Sequence, residues 1–290
     1  MANTFIRATK TILEHPKGNS TSEFHTHEVY ELFAITAGNT DYYVEGVIYN
    51  LRPGDILITR PNEAHFMQIG GAGEYCQYVI RFEAASLLGD GAAQLQAILD
   101  SRPLGQFNCF PASQFKDTKW LYYIDQIFQN KDDRDCTRIY LTVLIQELCK
   151  AYPEISDPNN LRQDLLSQVL TYINKNLAQP LSVDMICQRF FISRAQLNRM
   201  FRKMTSCSVW DYVVLKRLLY AKALLGNGET PAAACAKCGF RDYSPFFRAY
   251  KAQFGVSPKE HRSKKPRHYI DPPEKANPVL DHAITKTKQP

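Results

Sequence analysis

Ser182-Val183-Asp184-Met185-Ile186-Cys187-Gln188-Arg189-Phe190-Phe191-Ile192-Ser193-Arg194-Ala195-Gln196-Leu197-Asn198-Arg199-Met200-Phe201-Arg202-Lys203 returns about 48 residues later as Thr230-Pro231-Ala232-Ala233-Ala234-Cys235-Ala236-Lys237-Cys238-Gly239-Phe240-Arg241-Asp242-Tyr243-Ser244-Pro245-Phe246-Phe247-Arg248-Ala249-Tyr250-Lys251. Each copy opens with a helix start: Ser182 is a capping residue, and Thr230 precedes Pro231 at the first helical position. A small residue, Cys187 or Cys235, sits inside each first helix, and a short turn follows four residues later. Each second helix carries the pattern apolar-x-Arg-x-aromatic-basic, as Leu197-x-Arg199-x-Phe201-Arg202 and Phe246-x-Arg248-x-Tyr250-Lys251. Leu197 and Phe201, like Phe246 and Tyr250, fall four apart and share the face turned to a core. Arg199 and Arg248 fall off that stripe, toward solvent or a ligand. Such a pair of helices is the layout of a helix-turn-helix unit, whose second helix enters the DNA major groove. An arginine there donates two hydrogen bonds to guanine or clamps a phosphate; an ordinary solvated charge is the plainer alternative.

The charge distribution favours DNA. Residues 1–160 hold 13 Lys+Arg against 20 Asp+Glu, net −7, whereas residues 161–290 hold 22 against 9, net +13. An acidic half joined to a basic half confines contact with a polyanion, here double-stranded DNA, to the second half. At 290 residues the chain is long enough for two domains. It has no run of 18 apolar residues, and its first residues lack the apolar core of a secretory signal, so a cytoplasmic protein without a membrane partner is expected. The eight cysteines show no repeated spacing and are expected as thiols. Cys235-Ala236-Lys237-Cys238 has the look of a redox or metal pair, but no second pair lies at ligand spacing, and buried thiols are the better reading.

From Phe24 to about Phe82 short β-rich runs alternate with turn signals: Tyr30–Thr36, Gly38-Asn39, Tyr42–Val44, Glu45-Gly46, Val47–Leu51, Pro53-Gly54 and Ile56–Thr59. That spacing predicts an antiparallel sandwich or barrel, with a further strand over Tyr75–Phe82. After Ala84 the pattern turns helical, with Trp120, Ile124, Ile127 and Phe128 on one stripe and Ile139, Val143, Ile145 and Leu148 on a second helix. These two helices form an antiparallel pair whose apolar stripe packs either on a partner subunit, making a homodimer, or on its own barrel. The break Tyr152-Pro153-Glu154-Ile155-Ser156-Asp157-Pro158-Asn159-Asn160 is read as a linker, and the proline-containing stretch beyond Arg262 as a disordered basic tail.

Residues 165–262 resemble the DNA-binding domain of the AraC family of transcription regulators. The resemblance is carried by Gly239-Phe240, Phe246, Arg248, Lys251 and Phe254-Gly255-Val256-Ser257-Pro258, and by the linking helix over 213–225. It implies two recognition helices in adjacent major-groove segments, with base-facing positions at Ala195, Asn198 and Arg199 and at Ser244, Phe247 and Arg248. Arg194 joins them as a candidate DNA contact, and RNA polymerase is the implied protein partner. Three residues depart from the pattern: Phe191 and Ser206 stand where the family usually has glycine, and Pro245 sits early in the second recognition helix. A bulky residue at positive φ is strained by roughly 1 kcal/mol or more, so a reshaped first turn is expected.

His25-Thr26-His27-Glu28-Val29-Tyr30-Glu31-Leu32-Phe33-Ala34-Ile35-Thr36-Ala37-Gly38 resembles the first cupin motif, His-x-His-x3-Glu-x6-Gly. The second motif is off pattern, because Gly54 to His65 lacks the usual glycine between Pro61 and His65. Odd-numbered residues of a strand share a face, so His25, His27 and Glu31 are expected to converge with His65 from another strand. Gln77 and Arg81, alternating along Tyr75–Phe82, are further candidates, and Tyr42, Tyr43 and Tyr78 suit a sugar or other polar metabolite. Contact with a small-molecule effector is placed first, structural hydrogen bonding second, and a divalent transition metal third. No cofactor, metal or catalytic role is assigned; the alternative is a metal-binding cupin enzyme or sensor fused to a DNA-binding domain.

The expected architecture is α+β in two domains: a cupin-like antiparallel β-barrel with a helical pair over residues 1–152, a linker over 153–160, a double helix-turn-helix domain over 161–262 and a tail over 263–290. The expected function is sequence-specific DNA binding by a non-enzymatic transcription regulator, an activator controlled by a small polar metabolite.

Overall fold

The computed structural model describes residues 5–14, 22, 25–71, 73–100, 102–114, 119–152, 165–205 and 208–263. These fall into two compact units, one ending at Tyr152 and one beginning at Leu165. The expected linker, Ser206 and the tail beyond Ser263 lie outside the described residues.

The first unit contains β1 (Ile6–Leu13), β2 (Tyr30–Ala37), β3 (Asn39–Val44), β4 (Val47–Leu51), β5 (Ile56–Thr59), β6 (His65–Gly70), β7 (Tyr75–Phe82) and β8 (Cys109–Phe110). They form two antiparallel sheets, ordered β1-β7-β2-β5-β8 and β4-β3-β6. Turn chemistry fixes the register. Glu45 and Gly46 both take positive φ, 51° and 91°, and Val44 pairs with Val47 across them, the geometry of a two-residue hairpin turn. Gly38 has φ +80°, and a Cβ there would stand 2.9 Å from the Tyr75 ring and 3.0 Å from the Glu74 carbonyl oxygen.

Strand alternation builds two cores. Phe33, Ile35, Tyr42, Tyr49, Leu57, Met67 and Tyr75 fill the space between the sheets. Leu32, Ala34, Ile58, Ile80 and Phe82 point the other way, against α1 (Gly91–Leu99), α2 (Lys119–Gln129) and α3 (Arg134–Ala151). Trp120, Ile124, Ile127, Ile145 and Leu148 are buried in that second core, each contributing roughly 1.5–3 kcal/mol. Most of the apolar stripe is therefore spent on the chain's own sheet; of the residues read into it, Ile139 is half exposed. Tyr78 lies in this outer core and not between the sheets, which removes it from the candidate ligand-facing aromatics.

The second unit contains α4 (Leu165–Lys175), α5 (Val183–Phe190), α6 (Arg194–Thr205), α7 (Val209–Gly226), α8 (Pro231–Lys237), α9 (Tyr243–Phe254) and α10 (Pro258–Ser263). Helix α7 is the central post. It starts at a reciprocal cap between Ser208 and Asp211, and it buries Val209, Tyr212, Val213, Leu218, Ala221 and Leu225. Leu218, Ala221 and Leu225 pack against Ala234, Cys235, Cys238, Phe246 and Tyr250 from α8, its C-cap and α9. Arg217 donates to the carbonyls of Leu177 and Gln179, both at 3.0 Å, and so ties the segment after α4 to the post.

Candidate functional site

The two repeats fold into matching helix pairs, α5 with α6 and α8 with α9. The Ser182 hydroxyl accepts from the Met185 N–H, and the Thr230 hydroxyl accepts from the Ala233 N–H, both at 3.2 Å. After α5 the Ile192 N–H donates to the Cys187 carbonyl, and after α8 the Phe240 N–H donates to the Cys235 carbonyl, at 3.0 and 3.2 Å. These bonds, 48 residues apart, close each first helix in the same way. The turn residue is Gly239 in one unit (φ +90°) and Phe191 in the other (φ 55°, ψ 41°). The first turn is thus not reshaped around its phenylalanine. The backbone keeps the left-handed conformation and leaves the ring 93% exposed.

On α6, Leu197 and Phe201 are buried while Arg194, Ala195 and Arg199 are exposed and Asn198 is half-buried. On α9, Phe246 and Tyr250 are buried while Ser244 and Arg248 are exposed and Phe247 is half-buried. Pro245 is the third residue of α9, inside the first turn, where its missing N–H costs no helical bond. Arg194 differs from the other arginines. Its guanidinium forks onto Asp184 of α5, Nε lying 2.6 Å from Oδ1, and holds the Asp184 carboxyl below the usual carboxylate range.

In the first unit His25, His27, Glu31 and His65 meet, with one donor atom from each lying within 4.8 Å of the others. The convergence does not come from one continuous strand. His25 and His65 exchange backbone hydrogen bonds at 3.1 and 3.0 Å, the chain bends at Glu28 and Val29, and β2 begins only at Tyr30. Glu31 is the hub. The Tyr42 hydroxyl donates to its Oε1 at 2.8 Å from the opposite sheet, and Arg81, directly across in the β2–β7 register, donates from Nε to Oε2 at 2.7 Å. His27 Nε2 stands 3.1 Å from Oε2 and His65 Nε2 3.5 Å from Oε1, yet both nitrogens are buried without a completed hydrogen bond. Burial alone would raise the Glu31 carboxyl, but His27 and His65 beside it hold it well below the usual range. Burial also pushes the His27 imidazole down and the Tyr42 hydroxyl well above its ordinary value. Gln77 shares the inward face with Arg81 but stands four residues, roughly 13 Å, along the strand. It accepts from the Tyr75 hydroxyl and is not brought into the cluster.

Sequence reasoning missed a second buried polar group. Arg102 donates to both oxygens of Glu63, at 3.1 and 2.8 Å, and to Asn108 Oδ1 at 2.7 Å; Asn108 Nδ2 and the Gly105 N–H also donate to Glu63. The partners lie 39 to 45 residues apart, with no spacing to announce them. A cavity of about 320 Å³ also opens on this unit. It is lined in part by Glu28, Tyr30, Arg60, Glu83, Gln96 and Asp100, and none of the six candidate effector residues reaches it.

A sheet unit with a buried polar hub, followed by paired helix-turn-helix units, defines a two-part DNA-binding regulator. The AraC-like ligand binding domain family matches residues 11–172, more than half of the chain, and a helix-turn-helix domain family matches residues 186–264. The chain belongs to the AraC family of transcription regulators. It is 22% identical over 247 residues to the HTH-type transcriptional activator RhaR of Enterobacter sp. (strain 638), spanning 83% of this chain and 88% of that protein. It is 30% identical over 105 residues to the HTH-type transcriptional regulator GbdR of Pseudomonas aeruginosa, spanning 36% of this chain and 29% of GbdR. It is 29% identical over 103 residues to the regulatory protein SoxS of Escherichia coli, spanning 35% of this chain and 96% of SoxS. No helix among the described residues is long and apolar enough to cross a membrane.

Proposed function

We propose that this regulator is a cytoplasmic activator that binds a specific double-stranded DNA operator through α6 and α9, under the control of a small polar metabolite such as a sugar. The observation that carries the DNA reading is the repeated unit. Each second helix buries two apolar residues four apart and turns an arginine outward, within a half of the chain that is net +13. Arg199 and Arg248 read base edges, and Ala195, Asn198, Ser244 and Phe247 complete the contact with the two groove segments. Arg194, forked to Asp184, fixes the angle at which α6 leaves α5. Residues 161–262 form the DNA-binding domain, a division supported by the helix-turn-helix family match over residues 186–264. The activating direction is supported by RhaR, matched across both units and itself an activator.

Residues 1–152 form the sensing domain, with the effector contacted by His25, His27, Glu31, His65 and Arg81, and Gln77 lying deeper along β7. Half-exposed Tyr122 and Ile139 on α2 and α3 support pairing into a homodimer, and RNA polymerase is the partner of the DNA-bound form. A tenfold change in operator affinity requires about 1.4 kcal/mol of coupling, which one or two hydrogen bonds made in only one state supply. The test selects genomic fragments that the protein retains, then measures affinity for the enriched sequence against salt and a metabolite panel. Enrichment of one sequence, with binding confined to residues 161–265, is expected. Equal affinity of the two halves for DNA at physiological salt refutes the assignment.

A further inference from the structure

We propose that Phe191 is a DNA contact: its ring packs on apolar surface of the duplex, the deoxyribose carbons or a thymine methyl, at the edge of the groove segment that α6 enters. The proposal rests on reading α6 as a recognition helix and adds to it a side chain with neither charge nor hydrogen bond to offer.

The equivalent turns of the two repeats are built under different constraints. At Gly239 a Cβ would stand 2.5 Å from the Leu177 carbonyl oxygen, so that turn has no space for a side chain. At Phe191 the Ile192 N–H still closes the turn onto the Cys187 carbonyl and the backbone is still left-handed, but nearly all of the ring lies in solvent. Space explains why a side chain fits at this position, not why it is a phenyl ring. Left-handed backbone is cheap for glycine and tolerable for asparagine, and a bulky residue there is an outlier. Among the described residues the other non-glycine positions with positive φ are Glu45, Asn62 and Phe107, and the protein covers each of them at least in part. A single exposed apolar residue needs no explanation, and a strained one can be held by packing; Phe191 is both strained and uncovered.

Its position names the partner. Phe191 stands two residues before Ser193, whose hydroxyl accepts from the Gln196 N–H at the start of α6, and three before Arg194, so its Cα lies within about 10 Å of the helix end that leads into the groove. Arg189 on α5 and Arg194, Arg199 and Arg202 on α6 are exposed around the turn. That basic surround holds a polyanion and is a poor bed for an apolar protein surface. Phosphates pin the duplex against the arginines, and a ring beside them meets sugar carbons and, at the groove edge, thymine methyls.

The test uses the full chain and the duplex that the parent enriches most from genomic fragments. Affinity is measured against salt for the parent, Phe191→Gly, Phe191→Asn and Phe191→Tyr. Glycine and asparagine suit the left-handed turn without the ring, so both variants should bind about 5- to 20-fold more weakly while melting no lower than the parent, whereas Phe191→Tyr keeps the parent's affinity. A ring displaces no counterions, so the slope of affinity against salt should stay that of the parent. Exchanging thymine for uracil along the duplex separates the two surfaces: a position whose exchange weakens the parent but not Phe191→Gly marks a methyl, and indifference throughout assigns the ring to deoxyribose. Parental affinity in both Phe191→Gly and Phe191→Asn overturns the proposal, and if transcription by RNA polymerase falls all the same, the ring belongs to a protein interface. A loss in Phe191→Gly alone, or one with the slope lowered by about one, places the effect on turn flexibility or a displaced arginine and overturns it too. A parent that enriches no sequence refutes the recognition-helix reading itself, and this inference with it.

Discussion

Replacing the turn residue in each repeat should have opposite consequences. Phe191 holds φ 55° and ψ 41° with its ring 93% exposed, so Phe191→Gly loses almost no buried surface. A left-handed residue with a Cβ costs about 1–2 kcal/mol, and glycine returns about 0.5–1 kcal/mol through its greater freedom in the unfolded chain. The net expectation is a second unit more stable by about 0.5–1 kcal/mol, raising its melting temperature by about 2–6 °C. Gly239→Ala starts from φ +90° and would set a Cβ 2.5 Å from the Leu177 carbonyl oxygen and 3.0 Å from the Arg217 guanidinium. Conformational strain and overpacking together should cost about 2–4 kcal/mol, because the blocking atom is backbone held by Arg217. Denaturant unfolding of both variants, followed by helical circular dichroism, measures the two shifts. A Phe191→Gly loss above about 1 kcal/mol would mean that the ring is held by contacts and the turn is unstrained. A neutral Gly239→Ala would break the equivalence of the two turns.

Arg199→Ala and Arg248→Ala should each weaken specific operator binding by about 1–3 kcal/mol with melting unchanged, and non-specific binding less; parental affinity in both would show the recognition register to be wrong. Glu63→Gln leaves Arg102 buried against a neutral amide and should destabilise the first unit by about 3–5 kcal/mol in thermal unfolding; a loss below about 1 kcal/mol would remove this network from the stabilising core. Burial tends to raise the Glu63 carboxyl, but Arg102 holds it below its ordinary value, so its stabilisation is complete above that ordinary value and fades as pH falls through the lower, folded value. The parent should therefore lose more stability on acidification than Glu63→Gln, and parallel pH profiles would sink the linkage. Asp184→Asn releases the fork on Arg194 at an exposed site and should leave the melting temperature almost unchanged while altering operator affinity; unchanged affinity would deny Arg194 a positioning role.

The helical half was legible because its order is local. Capping residues, a four-residue apolar spacing and a repeat at 48 residues each act within one or two turns, and a single chain displays them directly. Strands β2, β4, β5 and β7 were visible through their hydrophobic runs and turn glycines. Strand β1 was not, because Arg7, Thr9, Lys10 and Thr11 give it no apolar run; it is held by pairing with β7 along its whole length. The four residues of the buried hub were named from the resemblance to the cupin motifs and from strand alternation, but the reason for their convergence was different, a backbone bridge and a bend in place of one strand face. Tyr42 and Arg102 show the limit: each acts across a sheet or loop, where only the folded chain brings donor to acceptor.

The pairing of Ile6 with Phe82 and of Leu13 with Tyr75 also sets a timetable for synthesis. At about 5–20 residues per second, β1 waits roughly 4–15 s after leaving the ribosome before its partner strand has been made. During that interval eight residues of strand-competent chain have no neighbour of their own. Lys10 and Arg7 within that segment oppose pairing with another nascent chain, so the polarity that hid β1 from sequence reading serves as its guard while the rest of the sheet is produced.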